Sequence, residues 1–354
     1  MARFAPDYYK AIEPMIKAAE GQPPAPQPKN VAELAAGLNA MMAVMFKEPA
    51  APPHIVQTKH QIPVPGGKTV TVTRYATAEQ RAAKDQPAIM YLHAGGMVCA
   101  SVDLVNEVLG NESAVYGVQY FAVEYTKSPA VAAPVALEEA YAVLTHLSQN
   151  AATYGIDNKR IAVGGASAGG GMSAGVGLMA RDRGLSPPIA KLVLIYPMLD
   201  DRTVQAHPPK GARHAGANHK DDEWSVRPFL TWSCEQNALA WNAYLGTGNP
   251  ATDDALTAAA NLAKATPPGQ GNGALYAIPA RAATLAGLPP TYIDCGGLDL
   301  FLEESAQFAA RLAHDGVEFD FHIFHGVPHG FEIAQTSNAA QTALAQRKIA
   351  YNSF

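Results

Sequence analysis

Hydrophobic positions along the chain change period repeatedly, and those changes divide it into elements. Residues 61–64 and 69–75 look like two strands joined by a turn at Pro65-Gly66-Gly67. Short apolar runs follow at 88–92, 120–125, 160–163, 192–195 and 291–293, and 319–324 alternates. Between most of these, apolar positions recur at helical spacing. Leu137, Ala140, Tyr141, Leu144 and Leu147 share one face, as do Phe301, Phe308 and Leu312. Strands alternating with helices predict an α/β fold, with a mostly parallel sheet of eight strands flanked by helices. No internal repeat is visible.

Three stretches depart from that rhythm. Residues 1–50 carry two helical patterns around a proline-rich break at 22–28. In the second pattern Val31, Leu34, Leu38, Met41, Met42 and Met45 form one stripe, which serves either as core packing or as an adaptable wall over a pocket. Residues 200–228 are polar and loop-like. They lead into an aromatic helical segment containing Trp224, Phe229, Trp232, Trp241 and Tyr244, either a local core or a lid over an apolar substrate. Residues 246–275, rich in Gly, Ala, Thr and Pro, look like a surface insertion.

Composition narrows the function classes. A chain of 354 residues, 48% hydrophobic and 16% charged, suits one large domain with insertions or two smaller ones. The net charge of −5 argues against a nucleic-acid footprint. Cys99, Cys234 and Cys295 match neither a disulfide framework nor a zinc pattern, so buried inert thiols are expected. The start lacks an apolar signal-peptide core, and no apolar run is long enough for a membrane span. A cytoplasmic location is the expectation.

The chemistry concentrates in four places. Gly165-Ala166-Ser167-Ala168-Gly169 follows a strand and opens a small-residue helix, the pattern of a nucleophile elbow. Alone it is a weak signal. Upstream, a strand ends in His93-Ala94-Gly95-Gly96-Met97, where consecutive glycines let backbone N–H groups turn toward one point. Gly95 and Gly96 are candidate oxyanion donors with Ala168 as a third, and His93 shapes the loop. Downstream, Asp299 follows the 291–293 strand just before an amphipathic helix, where open α/β sheets gather ligands and catalytic side chains. A helix cap is its plainer role, and Asp294 and Asp320 are rival acids inside strands. Last comes His329 in a loop, with His322 and His325 as competitors. No cysteine or carboxylate follows them at a zinc-like spacing, so no metal is expected.

Taken together, these motifs resemble the hormone-sensitive-lipase-like esterases, also called bacterial lipase family IV. Members carry His-Gly-Gly-Gly, Gly-Asp-Ser-Ala-Gly-Gly, an Asp-Pro-Leu-type acid motif and His-Gly-Phe. Here those positions are 93–96, 165–170, 299–304 and 329–331, with Tyr196-Pro197 and Leu288-Pro289-Pro290 also matching. The resemblance covers roughly residues 55–350. It implies an α/β-hydrolase with a helical cap and the triad Ser167, Asp299 and His329. The implied division is 1–50 as cap helices, 51–197 as core, 198–250 as cap insertion and 251–354 as the second core part, with a surface insertion near 251–275. Met97, Tyr196, Phe229 and Trp232 are the expected pocket residues.

Three departures stand out. Ala94 and Ala166 replace a glycine and an aspartate. Glu124-Tyr125-Thr126-Lys127-Ser128-Pro129-Ala130 stands where members have Asp-Tyr-Arg-Leu-Ala-Pro-Glu, so a usual ionic support of that loop is missing. The expected function is a serine carboxylesterase acting on short- to medium-chain esters without a cofactor. Its partner is a small-molecule ester, not nucleic acid, and its state a monomer or homodimer. Amidase, lactonase or acyltransferase activity with the same triad stays open, as does a non-catalytic ligand-binding homologue.

Overall fold

The sheet is built from β1 (Ile55–Val64), β2 (Lys68–Thr77), β3 (Gln86–Leu92), β4 (Gln119–Val123), β5 (Ile156–Ala166), β6 (Lys191–Ile195), β7 (Thr291–Gly296) and β8 (Phe319–Phe324). These come from a computed structural model that describes residues 3–21, 26–45, 50–211, 225–265 and 274–354. Strand order is β1-β2-β4-β3-β5-β6-β7-β8. β2 is antiparallel to β1 and β4, and every other pairing is parallel. Each of the eight expected runs forms a strand. The continuous apolar runs are the buried central strands, β4 and β6 along their whole length. By contrast β8, at the sheet edge, has no fully buried residue. That difference is what the two hydrophobic patterns encode.

The longer helices are α1 (Pro6–Ala19), α2 (Val31–Met45), α3 (Asn106–Tyr116), α4 (Val135–Gln149), α5 (Ala168–Asp182), α6 (Cys234–Leu245), α7 (Ala255–Lys264), α8 (Leu302–His314) and α9 (Asn338–Tyr351). α5 has residues 168–180 all buried, and its run of Gly and Ala lets it lie tight against β5 and β6. α2 packs on α6, and α1 lies against α9. The Asn39 side chain accepts a hydrogen bond from the Ala100 amide at 2.8 Å, fastening α2 to the loop after β3.

The aromatic segment is not one helix. Arg227–Phe229 is a single 3-10 turn, and α6 begins at Cys234, where Ser233 and Gln236 form a capping box. Trp241 and Tyr244 are buried in α6, Trp232 precedes it, and Trp224 lies outside the described residues. The 246–275 stretch carries α7, which buries Ala258, Ala259 and Leu262 and packs on α6. All three cysteines are buried, and none is in a disulfide. Burial pushes the Cys99 thiol up to about 12, which keeps it unreactive at neutral pH. Among the described residues no helix is long and apolar enough to cross a membrane.

Candidate active site

β5 delivers Ser167 at its carboxyl end, and α5 starts at the next residue. Ser167 has φ 58° and ψ −120°, a conformation costing about 1–3 kcal/mol that the surroundings must enforce. They do so with hydrogen bonds: the Ser167 amide donates to Ile195 O at 2.8 Å, and the Met198 amide donates to Ser167 O at 3.0 Å. A methyl group on Gly165 or Gly169 would overlap the Leu92 carbonyl oxygen. The glycines are therefore there for close approach as well as for the turn.

The imidazole of His329 stands between two partners. Its Nε2 is 3.0 Å from Ser167 Oγ, and its Nδ1 is 2.8 Å from Asp299 Oδ2. The Asp299 side chain is fully buried, and its other oxygen accepts from the Phe301 amide at 2.9 Å, so the carboxylate is held on both sides. Phe301 meets the imidazole edge-on at 5.2 Å, and the Tyr196 ring lies 4.5 Å from it. Thr231 Oγ1 donates to the His329 carbonyl at 2.6 Å, tying the segment before α6 to the histidine loop.

The rival residues are occupied elsewhere. Asp294, fully buried, accepts from Arg347 Nε at 2.7 Å, from Arg347 Nη2 at 2.9 Å and from the Tyr292 hydroxyl at 2.9 Å. Asp320 is exposed on β8, and His322 stacks beside Phe324. Among the described residues no three His, Cys, Asp or Glu side chains gather as a metal site requires.

Gly95 and Gly96 take φ of 129° and 58°, left-handed values that glycine adopts readily. Their amides, like that of Ala168, donate to no acceptor among the described residues. His93 braces the loop from behind. Its ring stacks on Tyr125 at 4.3 Å, its Nδ1 is 2.7 Å from Ala94 O, and the Tyr125 hydroxyl donates to His93 O at 2.9 Å. Burial lowers the His93 pKa to about 3, with the Lys127 charge adding to the effect, so this imidazole is neutral at working pH. The loop at 124–130 has found other support. The Thr126 amide and hydroxyl both donate to Glu139 at 2.8 Å, while Lys127 pairs with Glu124.

Ser167, His329, Gly95 and Gly96 line one cleft of about 760 Å3, its open mouth included. Tyr196 and Trp232 are in its wall. Met97 and Phe229 are not: Met97 is buried in the loop, and Phe229 meets Phe4 edge-on at 5.0 Å. Tyr8, Leu38, Met41 and Met42 complete the apolar side, so the methionine stripe serves as core and pocket wall together. Tyr8, Thr231 and Ile333 escaped the sequence reading because only tertiary packing brings them to the cleft.

A doubly braced histidine beside an elbow serine at the carboxyl edge of a parallel sheet defines the α/β-hydrolase class. A family model described as the alpha/beta hydrolase fold matches residues 89–333, and the chain belongs to that family. The chain is similar to Esterase LipI of Mycobacterium tuberculosis, 28% identical over 248 residues, 70% of this chain and 66% of that one. It is also similar to Carboxylesterase NlhH of the same species, 27% identical over 246 residues, 69% of this chain and 66% of the relative. The matched part thus spans just under two thirds of these curated relatives. A solved structure of a bacterial heroin esterase superposes with a TM-score of 0.74 at 26% identity, covering 97% of this chain and 98% of its own. An esterase from Pyrobaculum calidifontis superposes at 0.69 and 24% identity, covering 92% and 93%, and shares the fold.

Proposed function

We propose that the protein is a serine carboxylesterase acting on short- to medium-chain esters. The observation that carries the reading is the continuous path from Asp299 through His329 to Ser167 Oγ at the floor of an apolar cleft. In this mechanism Ser167 Oγ attacks the ester carbonyl as His329 Nε2 takes its proton. The Asp299 carboxylate holds the Nδ1–H tautomer and stabilises the imidazolium. The amides of Gly95, Gly96 and Ala168 donate to the oxyanion, a contribution of about 3 kcal/mol per donor in such sites. His329 returns the proton to the leaving alcohol, and water then repeats the cycle on the acyl-enzyme. Apart from that water, the nucleophile, the proton carrier and the oxyanion donors are all groups of the chain itself.

Residues 1–50 and 198–250 act as the cap in this reading, and 51–197 and 251–354 as the hydrolase core. Tyr8, Leu38, Met42 and Trp232 line the cleft from the cap side, which supports that division and an apolar substrate arm. The names of LipI, NlhH and the heroin esterase support ester over amide, lactone or transfer chemistry. Three buried cysteines with no disulfide among them are in keeping with a cytoplasmic location. The test is hydrolysis of p-nitrophenyl esters from C2 to C12 by wild type and Ser167→Ala. The expected result is turnover with a short- to medium-chain optimum that vanishes in the variant. No turnover by folded wild type would overturn the proposal in favour of a binding protein or a transferase.

A further inference from the structure

Side-chain hydrogen-bond donors are scarce in the cleft that holds Ser167, and nearly all of them are committed. Ser167 and His329 face each other. Thr231 Oγ1 donates to His329 O at 2.6 Å, and the Tyr196 hydroxyl donates to Glu332 Oε2 at 3.3 Å. The Trp232 indole N–H goes to Asn237 Oδ1 at 3.2 Å, and the Cys99 thiol to Gly95 O at 3.2 Å. Tyr8 is the exception among the side chains that line this cleft. Its hydroxyl has no hydrogen-bond partner among the described residues, yet that oxygen is not sealed from solvent. The residue as a whole is 2% exposed, and that small accessible remainder belongs to a side chain in the cleft wall.

The phenol is also held in place. Its ring packs in a cluster with Val327 and Phe331, on either side of His329 in the chain, and lies 5.5 Å from Phe4. A ring fixed by packing gives up little rotamer freedom when a ligand arrives. Burial, reinforced by the Glu332 charge, pushes the phenol above its ordinary range, so it remains a donor at neutral pH. The complementary group is an acceptor. Neither lysine nor arginine lines the cleft among the described residues, so a carboxylate or phosphate arm would find no counter-ion there. A neutral oxygen, as in an ether, a ketone or a second ester, meets the donor without that cost. A purely alkyl arm strips the hydroxyl of water and returns nothing.

We propose that Tyr8 determines specificity by donating a hydrogen bond to a neutral oxygen on the substrate arm that runs toward α1. The assignment rests on the carboxylesterase reading and deepens it to a substrate class, esters with an ether or carbonyl oxygen remote from the scissile bond.

The test replaces one methylene by oxygen in otherwise matched esters. For the alcohol arm, 2-ethoxyethyl and 3-methoxypropyl butyrate are compared with pentyl butyrate. For the acyl arm, p-nitrophenyl 4-oxahexanoate and 5-oxahexanoate are compared with the hexanoate. The kcat/KM of each ether is divided by that of its alkyl parent, in wild type and in Tyr8→Phe. Dividing the wild-type ratio by the variant ratio cancels the intrinsic reactivity of each ester and the active fraction of each protein. For at least one ether this quotient should be about threefold or more, the scale of one neutral hydrogen bond. Smaller quotients for all four ethers would overturn the proposal. If folded wild type turned over none of these esters, the esterase reading would fail, and this inference with it.

Discussion

Replacing Arg347 by methionine tests how the histidine loop is held. Arg347 comes from α9, far in sequence from Ser167, yet its guanidinium joins Asp294 on β7 to Glu332, three residues beyond His329. It also lies 5.6 Å from the Tyr196 ring, which packs on the His329 imidazole. Methionine fills most of the stem volume but leaves Asp294 buried with only the Tyr292 hydroxyl as partner. Breaking a buried pair from one side costs about 3–5 kcal/mol, because an uncompensated charge remains. At about 2 °C per kcal/mol for a large domain, Tm should fall roughly 6–10 °C. The orphaned carboxylate can escape by binding a proton, so its folded pKa rises above the ordinary value of about 4. Between those two pKa values the folded state binds more protons than the unfolded one, and stability falls as pH rises. The penalty should therefore be small near pH 4 and largest above neutrality. Differential scanning fluorimetry from pH 4 to 9 measures it, with Asp294→Asn/Arg347→Met as the partner variant in which the charge is gone and the cost shrinks. A Tm within about 2 °C of wild type at pH 8, outside the loss expected from burying an unpaired charge, would refute the reasoning.

Other perturbations have equally definite outcomes. Asp299→Asn should keep the fold while lowering kcat by about 10⁴, since the amide presents the wrong tautomer to His329; single-turnover kinetics would detect it. Gly96→Ala puts a methyl 2.6 Å from Trp232 Cη2 at a φ of 58°, so the ring must move. A shifted tryptophan emission together with a kcat loss of about 10²-fold is expected. His93 makes stability pH-dependent at the acid end. Its pKa of about 3 in the fold lies below the ordinary 6.5, so the unfolded chain binds the extra proton between those values. Stability is fully present above pH 6.5 and declines toward pH 3, with a slope of at most about 1.4 kcal/mol per pH unit from this group. Acid titration of Tm should be shallower in His93→Asn, and an equal slope in both proteins would exclude the assignment.

What the sequence made legible follows from where each constraint is local. The elbow needs small residues on both sides of Ser167, and an acid or histidine that works at a sheet edge must follow its strand; both are short-range patterns. The pocket is a different kind of object. The family resemblance implies Met97 and Phe229 in its wall, but Met97 is buried in the loop and Phe229 pairs with Phe4 from the first helix region of the chain. Tyr8 and Thr231 line it through contacts no local period announces. Arg347 is the instructive miss. On a C-terminal helix an arginine usually signals a solvated face, but on α9 the buried positions are Ala340, Ala343, Arg347, Ala350 and Tyr351, so the arginine falls in line with an alanine stripe. A charge inside a buried stripe requires a counter-ion, and Asp294, set aside as an acid because it sat inside a strand, required one too. Each residue is anomalous alone, and the pair they make sets α9 against β7.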